Sequence, residues 1–124
     1  MPRPAPTRSL ASLAAIVFVL VGILGFVADS GGKLFGTFQV SVVHNLAHLL
    51  LGAVGLVLAR SAAGARTFLT GGGAVYLTLW MVGVIGAGDW IPLNTADNWL
   101  HFLLGIGMLA AGVAVAPVAR PAAT

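Results

Sequence analysis

The stretch VHNLAHLLLG at residues 43–52 recurs 53 positions later as ADNWLHFLLG at residues 96–105. One Asn, one His, two Leu and one Gly coincide, and the shared Asn-x-x-His pair is an unusual feature of a leucine-rich run. Upstream, VGILG at residues 21–25 matches VGVIG at residues 82–86 with an offset of 61. The sequence therefore predicts an internal duplication, with an outer loop eight residues longer in the first copy than in the second.

Each copy contains two long apolar runs, and the composition of the chain agrees with four membrane spans. Of the 124 residues, 59% are hydrophobic and only 7% are charged, whereas about a quarter of the residues of a soluble domain are charged. A helix needs about 20 predominantly apolar residues to cross a bilayer. We therefore expect an all-α integral membrane four-helix bundle with spans at residues 10–27, 37–59, 67–86 and 97–116.

The segments that flank the four spans are predicted to be tails. Residues 1–9 contain three prolines and two arginines and are expected to be disordered, and residues 117–124 form a short C-terminal tail. The first span has some features of a signal peptide. Its length of 18 residues and its counterpart in the second copy favour a retained transmembrane helix.

The basic residues predict the orientation of the chain. Arginines fall in the loops and tails of one side, and only Lys33 falls on the other side. Because Lys and Arg concentrate in cytoplasmic loops, both termini are expected in the cytoplasm. With two spans each, both copies insert the same way round, as parallel helical-hairpin repeats related by an axis along the membrane normal. The cytoplasmic residues are Arg3, Arg8, Arg60, Arg66 and Arg120, and the outer ones include Asp29, Asp89 and Asp97.

Glycine is the second recurring feature, with 17 residues. Several glycines occur three residues apart, which places each pair on one face of its helix. Small residues let helices approach closely in lipid, so the pairs predict tight packing within the bundle, with an oligomer interface as the alternative. The pairs are Gly22 with Gly25, Gly52 with Gly55, and Gly83 with Gly86.

Four ionisable side chains lie near the outer ends of the second and fourth spans. His44 and His48 are one helical turn apart, and Asp97 and His101 have the same spacing in the second copy. If the repeat axis passes near these two helices, the four side chains converge. Three imidazoles and one carboxylate suit tetrahedral zinc or another divalent metal. The sequence therefore makes these residues candidate metal ligands.

Hydrogen bonding alone is the alternative interpretation of the same region. Asp97 lies near the start of its helix, where a carboxylate satisfies free backbone N–H groups and complements the helix dipole. His48 and His101 are placed to donate to Asn98 and Asn45 of the other copy, which would form a structural polar cluster linking the repeats. If a metal is bound, the two asparagines would instead orient its ligands.

Three further chemistries use the same side chains. A path for protons or ions would run through the cluster, and haem could be held by two histidines, although no site for its propionates is evident. A hydrolase would combine Ser41, His44 and Asp97, but the His-x-x-x-His motif lacks the glutamate that serves as general base in zincins. We therefore predict no catalytic residues. Six scattered basic residues form no basic patch, so nucleic acid is not an expected partner.

Three stretches resemble a known family: LFGTFQV at residues 34–40, HNLAH at residues 44–48 and IPLNTADNWLH at residues 91–101. They are similar to the signature of small four-helix bacterial membrane proteins, grouped as a domain of unknown function and common in high-GC Gram-positive bacteria. The resemblance extends from about Leu10 to Ala114. It implies the topology and a cell-envelope setting, and it implies no activity.

The functional prediction is a small multi-pass protein of the bacterial cytoplasmic membrane that acts as a non-enzymatic accessory or scaffolding component of the envelope. Because the chain has almost no extramembrane mass, the expected partners are lipid, other membrane proteins or a second copy. The alternative is a metal-binding or ion-conducting module that uses His44, His48, Asp97 and His101.

Overall fold

Four α-helices and one short β-hairpin form the part of the chain that the computed structural model describes, residues 5–28, 31–86 and 91–114. The strands β1 (Lys33–Leu34) and β2 (Phe38–Gln39) pair antiparallel between the first two helices. The predicted all-α bundle is confirmed, and the hairpin is an addition to it. The helices are α1 (Pro6–Val27), α2 (Val42–Leu58), α3 (Ala62–Ile85) and α4 (Thr95–Ala114).

The helices begin at different residues from the predicted spans. α1 begins at Pro6, because proline suits the first turn of a helix, so the prediction of a disordered tail is wrong for residues 6–9. α2 begins five residues late because residues 38–39 belong to β2. α3 begins five residues early, where the Ser61 hydroxyl caps it by accepting from the Gly64 N–H at 3.0 Å. Residues 1–4, the end of the fourth span at 115–116 and the tail 117–124 lie outside the described residues.

Three of the helices, α1, α3 and α4, are long and apolar enough to cross a membrane. α2 is apolar but has only 17 residues, which span about 26 Å at ~1.5 Å per residue against a hydrocarbon core of about 30 Å. Large apolar side chains such as Leu13, Leu50 and Leu103 are 60%, 68% and 63% exposed on the outside of the bundle. Lipid is the solvent in which such a surface is stable, and the chain is therefore assigned as a membrane protein.

Two helical hairpins pack side by side. α1 lies along α2 and α3 lies along α4, while the two hairpins meet mainly where α1 contacts α3. α2 contacts α3, but the backbones of α2 and α4 do not touch. Buried side chains from three helices fill the centre: Ala11, Ala15 and Phe18 from α1, Phe68, Leu69 and Tyr76 from α3, and Met108 from α4.

The contacts inside the two hairpins repeat and confirm the duplication. A Cβ at Gly25 would overlap the Asn45 amide, and a Cβ at Gly83 would overlap the Asn98 amide. Gly83 follows Gly25 by 58 residues, and Asn98 follows Asn45 by 53. The same offsets relate two further close approaches, Gly52 to Val19 in the first hairpin and Gly105 to Leu77 in the second.

The predicted offset of 61 for α1 and α3 is therefore wrong by one helical turn. It pairs Gly25 with Gly86, but Gly86 ends α3 in the left-handed conformation with φ 72° and faces open space. Glycines spaced by three match one another when the helix is shifted by one turn, which explains the error. At the offset of 58, the first outer loop is five residues longer than the second, and these residues accommodate the β-hairpin.

Candidate functional site

An aromatic stack lies at the centre of the molecule, where α1 meets α3. Phe18 and Tyr76, which the offset of 58 makes repeat equivalents, stack with ring centroids 5.2 Å apart. Equivalent imidazoles flank them, with His48 6.1 Å from Phe18 and His101 5.4 Å from Tyr76. The repeat axis therefore passes between α1 and α3. The condition considered in the sequence, an axis near α2 and α4, is not met, because α1 and α3 are in contact and α2 and α4 are not.

The three histidines come together even though α2 and α4 do not touch. The rings of His44 and His48 stack with centroids 4.6 Å apart, and the His44 and His101 centroids are 6.0 Å apart. His44 and His101 are both buried. The imidazole side chains thus bridge a gap that the helix backbones leave open.

Asp97, the fourth candidate ligand, caps α4. Its backbone N–H donates to Asn94 Oδ1 at 3.0 Å, and its Oδ2 accepts from the Asn94 backbone N–H at 2.9 Å. This reciprocal pair is a capping box, which satisfies N–H groups that the first turn of a helix leaves free. The same Oδ2 accepts from the Gln39 N–H in β2 at 3.2 Å. The buried carboxylate therefore joins the start of α4 to the hairpin of the first copy.

Asn94 adds a second link between the copies. Its Nδ2 donates to the Thr37 carbonyl at 2.7 Å. Thr37 lies in the turn between β1 and β2, where Phe35 has a positive φ of 53°. Two side chains of the second copy thus hold the β-hairpin of the first copy.

Asn45 and Asn98 do not take part in the polar cluster predicted for them. Each amide packs against a glycine of its own hairpin, Gly25 for Asn45 and Gly83 for Asn98. Both Oδ1 atoms are buried and have no hydrogen-bond partner among the described residues. The predicted hydrogen bonds from His48 and His101 to these amides are therefore wrong, since the asparagines face the interior of their own hairpins.

A cavity of about 120 Å³ lies beneath the hairpin, and His44, His48, Asp97 and His101 all line it. Within residues 5–28, 31–86 and 91–114, however, no three His or acidic side chains are arranged to hold a metal ion. One Asp97 oxygen already accepts two backbone N–H groups. The metal site stays a prediction whose candidate ligands share a cavity without forming a coordination geometry.

A larger groove of about 460 Å³ lies between α2 and α3 and reaches α4 at His101. Its walls are mainly aliphatic, and its polar side chains are three imidazoles and one phenol. Val43, Leu50 and Val75 line it and are at least half exposed, so the groove opens on the outside of the bundle. The lining residues are Val43, His44, Ala47, His48, Leu50, Leu51, Val54, Val75, Tyr76, Leu79, Ile91, Leu93 and His101.

The sequence predicts packing for Tyr76, which the stack with Phe18 agrees with, but it marks no role for Phe18, Asn94 or Gln39. An offset of 58 pairs Phe18 with Tyr76, but the glycines spaced by three favour an offset of 61 when only the sequence is compared. The contribution of Gln39 is a backbone N–H, so no residue pattern could have marked it. Ser41, considered as a nucleophile, is the N-cap of α2, and its hydroxyl accepts from the His44 N–H at 3.2 Å.

These observations define a class of protein, a small membrane protein made of two repeated helical hairpins with a histidine-lined region beneath its β-hairpin. The family model described as "Domain of unknown function (DUF4383)" matches residues 8–114. The chain belongs to this family, as the resemblance in the sequence implies. No curated protein and no solved structure matches the chain.

Proposed function

We propose that this protein is a non-catalytic accessory or scaffolding protein of the bacterial cytoplasmic membrane, with both termini in the cytoplasm. Its outer cluster joins two hairpins into one unit, and its apolar outer faces contact lipid, other membrane proteins or a second copy. The observation that carries the proposal is the clamp formed by Asp97 and Asn94, which ties the second copy to the hairpin of the first through Gln39 and Thr37.

The distribution of charge supports the proposed orientation. Arg8 Nε donates to the Ala59 carbonyl at 3.1 Å, so the start of α1 and the end of α2 lie together. Arg60 and Arg66 flank the turn at this end, whereas Lys33 lies in the hairpin at the opposite end. This bias is the one expected when the arginine-rich end faces the cytoplasm. The resemblance to bacterial envelope proteins supports the choice of membrane.

The orientation can be tested by cysteine labelling, because the chain contains no cysteine. Lys33→Cys and Ala63→Cys each introduce one thiol at an exposed position at opposite ends of the bundle. In intact cells, a membrane-impermeant maleimide is expected to label Lys33→Cys, and to label Ala63→Cys only after permeabilisation. The reverse pattern would overturn the orientation.

The accessory role can be tested by cross-linking in native membranes at native expression level. Single cysteines at Leu13 and Leu103, which are exposed, are expected to give discrete products larger than the 12.5 kDa chain. Ala11→Cys, at a fully buried position, is the matched control and should give none. If neither exposed position forms a protein adduct, the accessory role is contradicted.

A metal-binding or ion-conducting module is the second candidate function. The observation that favours it is the shared cavity lined by His44, His48, Asp97 and His101. Elemental analysis of the purified protein, beside His48→Ala and His101→Ala, separates the two candidates. Stoichiometric metal that both variants lose would overturn the purely structural role of the cluster. Absence of metal, with lower thermal stability of both variants, would overturn the metal site.

A further inference from the structure

The larger groove, defined above by its 13 lining residues, has the properties of a small-molecule site. Ligand pockets typically enclose about 300–1,000 Å³ and combine apolar walls with a few convergent polar groups. The groove encloses about 460 Å³, and its polar groups are those of His44, His48, His101 and Tyr76. Because it opens on the apolar outside of the bundle, a ligand would enter from the membrane.

Two of the imidazoles that line the groove each have one ring nitrogen without a hydrogen-bond partner among the described residues. His44 and His101 are 9% and 3% exposed, and the Nδ1 atom of each is buried with no partner among the described residues. Buried polar groups in native proteins are normally hydrogen-bonded, and each exception calls for an explanation. A ligand that offers hydrogen-bonding atoms at this end of the groove would provide one.

The charge of the groove restricts the class of ligand. None of its lining residues is Lys or Arg, and the nearest acidic group of the cluster, Asp97, lines the adjoining cavity. A phosphate headgroup or a haem propionate would normally be met by cationic side chains. The groove therefore favours a neutral headgroup that accepts or donates hydrogen bonds.

The shape of the polar end restricts the ligand further. Tyr76 lines the groove and stacks on Phe18, and the rings of His44 and His48 stack on each other. Flat aromatic surfaces of this kind pack well against a planar ring. Along α2 the lining then becomes aliphatic, from Leu50 to Val54, which suits a branched hydrocarbon tail.

We propose that this groove binds an isoprenoid quinone or quinol from the membrane. The planar head lies among the imidazoles and the Tyr76 phenol, where its oxygen atoms form hydrogen bonds, and the tail lies along the aliphatic wall. The proposal concerns binding only, and it is independent of the accessory role proposed above.

The first test measures binding of a naphthoquinone with two isoprene units to the full-length protein in lipid nanodiscs, by isothermal titration calorimetry. Saturable binding with one site per chain is expected. An isoprenoid hydrocarbon that lacks the quinone ring should not compete. Equal competition by that hydrocarbon would show that the groove takes only apolar chains and would overturn the proposal.

Two matched variants on α2 locate the site. Ala47 and Ala53 are both exposed, but only Ala47 lines the groove. Ala47→Leu is expected to weaken binding at least about ten-fold, because the added side chain fills part of the groove, whereas Ala53→Leu should leave it unchanged. Equal binding by both variants would show that the quinone partitions into lipid or binds elsewhere.

Two further variants test the headgroup contacts. Tyr76→Phe keeps the aromatic ring and removes the hydroxyl, and it is expected to weaken binding about five- to ten-fold through the loss of one hydrogen bond. His101→Phe should have an effect of similar size, provided that its thermal unfolding matches that of the parent. Unchanged binding by Tyr76→Phe and His101→Phe together would overturn the assigned pose. A haem absorption band in the purified protein would overturn the choice of ligand.

Discussion

The first turns of α2 and α4 are repeat equivalents, but their third residues, His44 in α2 and Asp97 in α4, have different contacts. Ser41 caps α2 by accepting from the His44 N–H at 3.2 Å, and Asn94 caps α4 by accepting from the Asp97 N–H at 3.0 Å. In α4 the carboxylate also accepts from the Asn94 backbone N–H, which completes a capping box. In α2 the equivalent side chain is the imidazole of His44, which stacks on that of His48.

The difference shows how a duplicated hairpin can acquire two roles at one position. The first copy has a longer outer loop, and its β-hairpin needs an anchor beyond its own two-residue strands. Asp97 of the second copy provides that anchor through the Gln39 N–H. His44 of the first copy is thereby left to join His48 and His101. The two copies are alike in packing and unlike in chemistry.

The largest expected effect comes from breaking the packing that the copies share. Gly25→Leu would drive a side chain into the Asn45 amide, and overpacking of this kind costs about 3 kcal/mol or more of the free energy of unfolding. Gly83→Leu should cost somewhat less, because Asn98 is only half-buried. The measurement is SDS-induced unfolding in mixed micelles, followed by circular dichroism.

The matched control for both glycine variants is Gly71→Leu. Gly71 lies within α3 and faces open space, so the substitution should be neutral or stabilise the helix by up to about 1 kcal/mol. If Gly71→Leu destabilises the protein as much as Gly25→Leu does, the close approach at Gly25 is not the cause.

The second expected effect tests the anchor that only the second copy provides. Asp97→Ala leaves the N–H groups of Asn94 and Gln39 without their acceptor, and hydrogen bonds to a carboxylate are worth about 1.5–3 kcal/mol each. We expect Asp97→Ala to lower the free energy of unfolding by about 3 kcal/mol. Asp97→Asn should lower it by roughly half as much, because the amide oxygen still accepts a hydrogen bond. Proteolysis within the hairpin should accelerate in parallel. An unchanged cleavage rate would show that Asp97 does not anchor the hairpin.

The third expected effect compares the two caps directly. Ser41→Ala should cost about 1 kcal/mol, the usual value for a lost N-cap. Asn94→Ala should cost about 2 kcal/mol, because the cap and the bond to the Thr37 carbonyl are both lost. Ser61→Ala, at the cap of α3, is a reference for a cap without further links. Equal losses for Ser41→Ala and Asn94→Ala would remove the distinction between the copies.

The smallest expected effect concerns the central stack, where the copies differ by one hydroxyl. Tyr76→Phe makes the stack with Phe18 symmetric and keeps both rings in contact. The unfolding free energy should change by less than about 0.5 kcal/mol, as is usual when packing is retained. A larger loss in the absence of added ligand would mean that the hydroxyl has a structural role in the bundle.

The sequence by itself determined the class of fold and which end of the helices carries the three histidines and Asp97. Hydrophobic run length predicts the helices, and the repeated Asn-x-x-His motif predicts two like hairpins, because both depend on local spacing along the chain. Capping by Asp97 could also be predicted, since a carboxylate near a helix start has few other partners. These features require no knowledge of how the helices pack.

Only the tertiary structure decided the register of the repeats, the position of the axis and the partners of the polar side chains. Glycines spaced by three allow α1 and α3 to be aligned in more than one way, and contacts such as those of Gly25 and Gly83 distinguish an offset of 58 from one of 61. The stacking of Phe18 on Tyr76 places the axis between α1 and α3. That placement separates α2 from α4. The large aromatic rings hold α1 and α3 together, and the groove of the first hairpin against the second lies between α2 and α3.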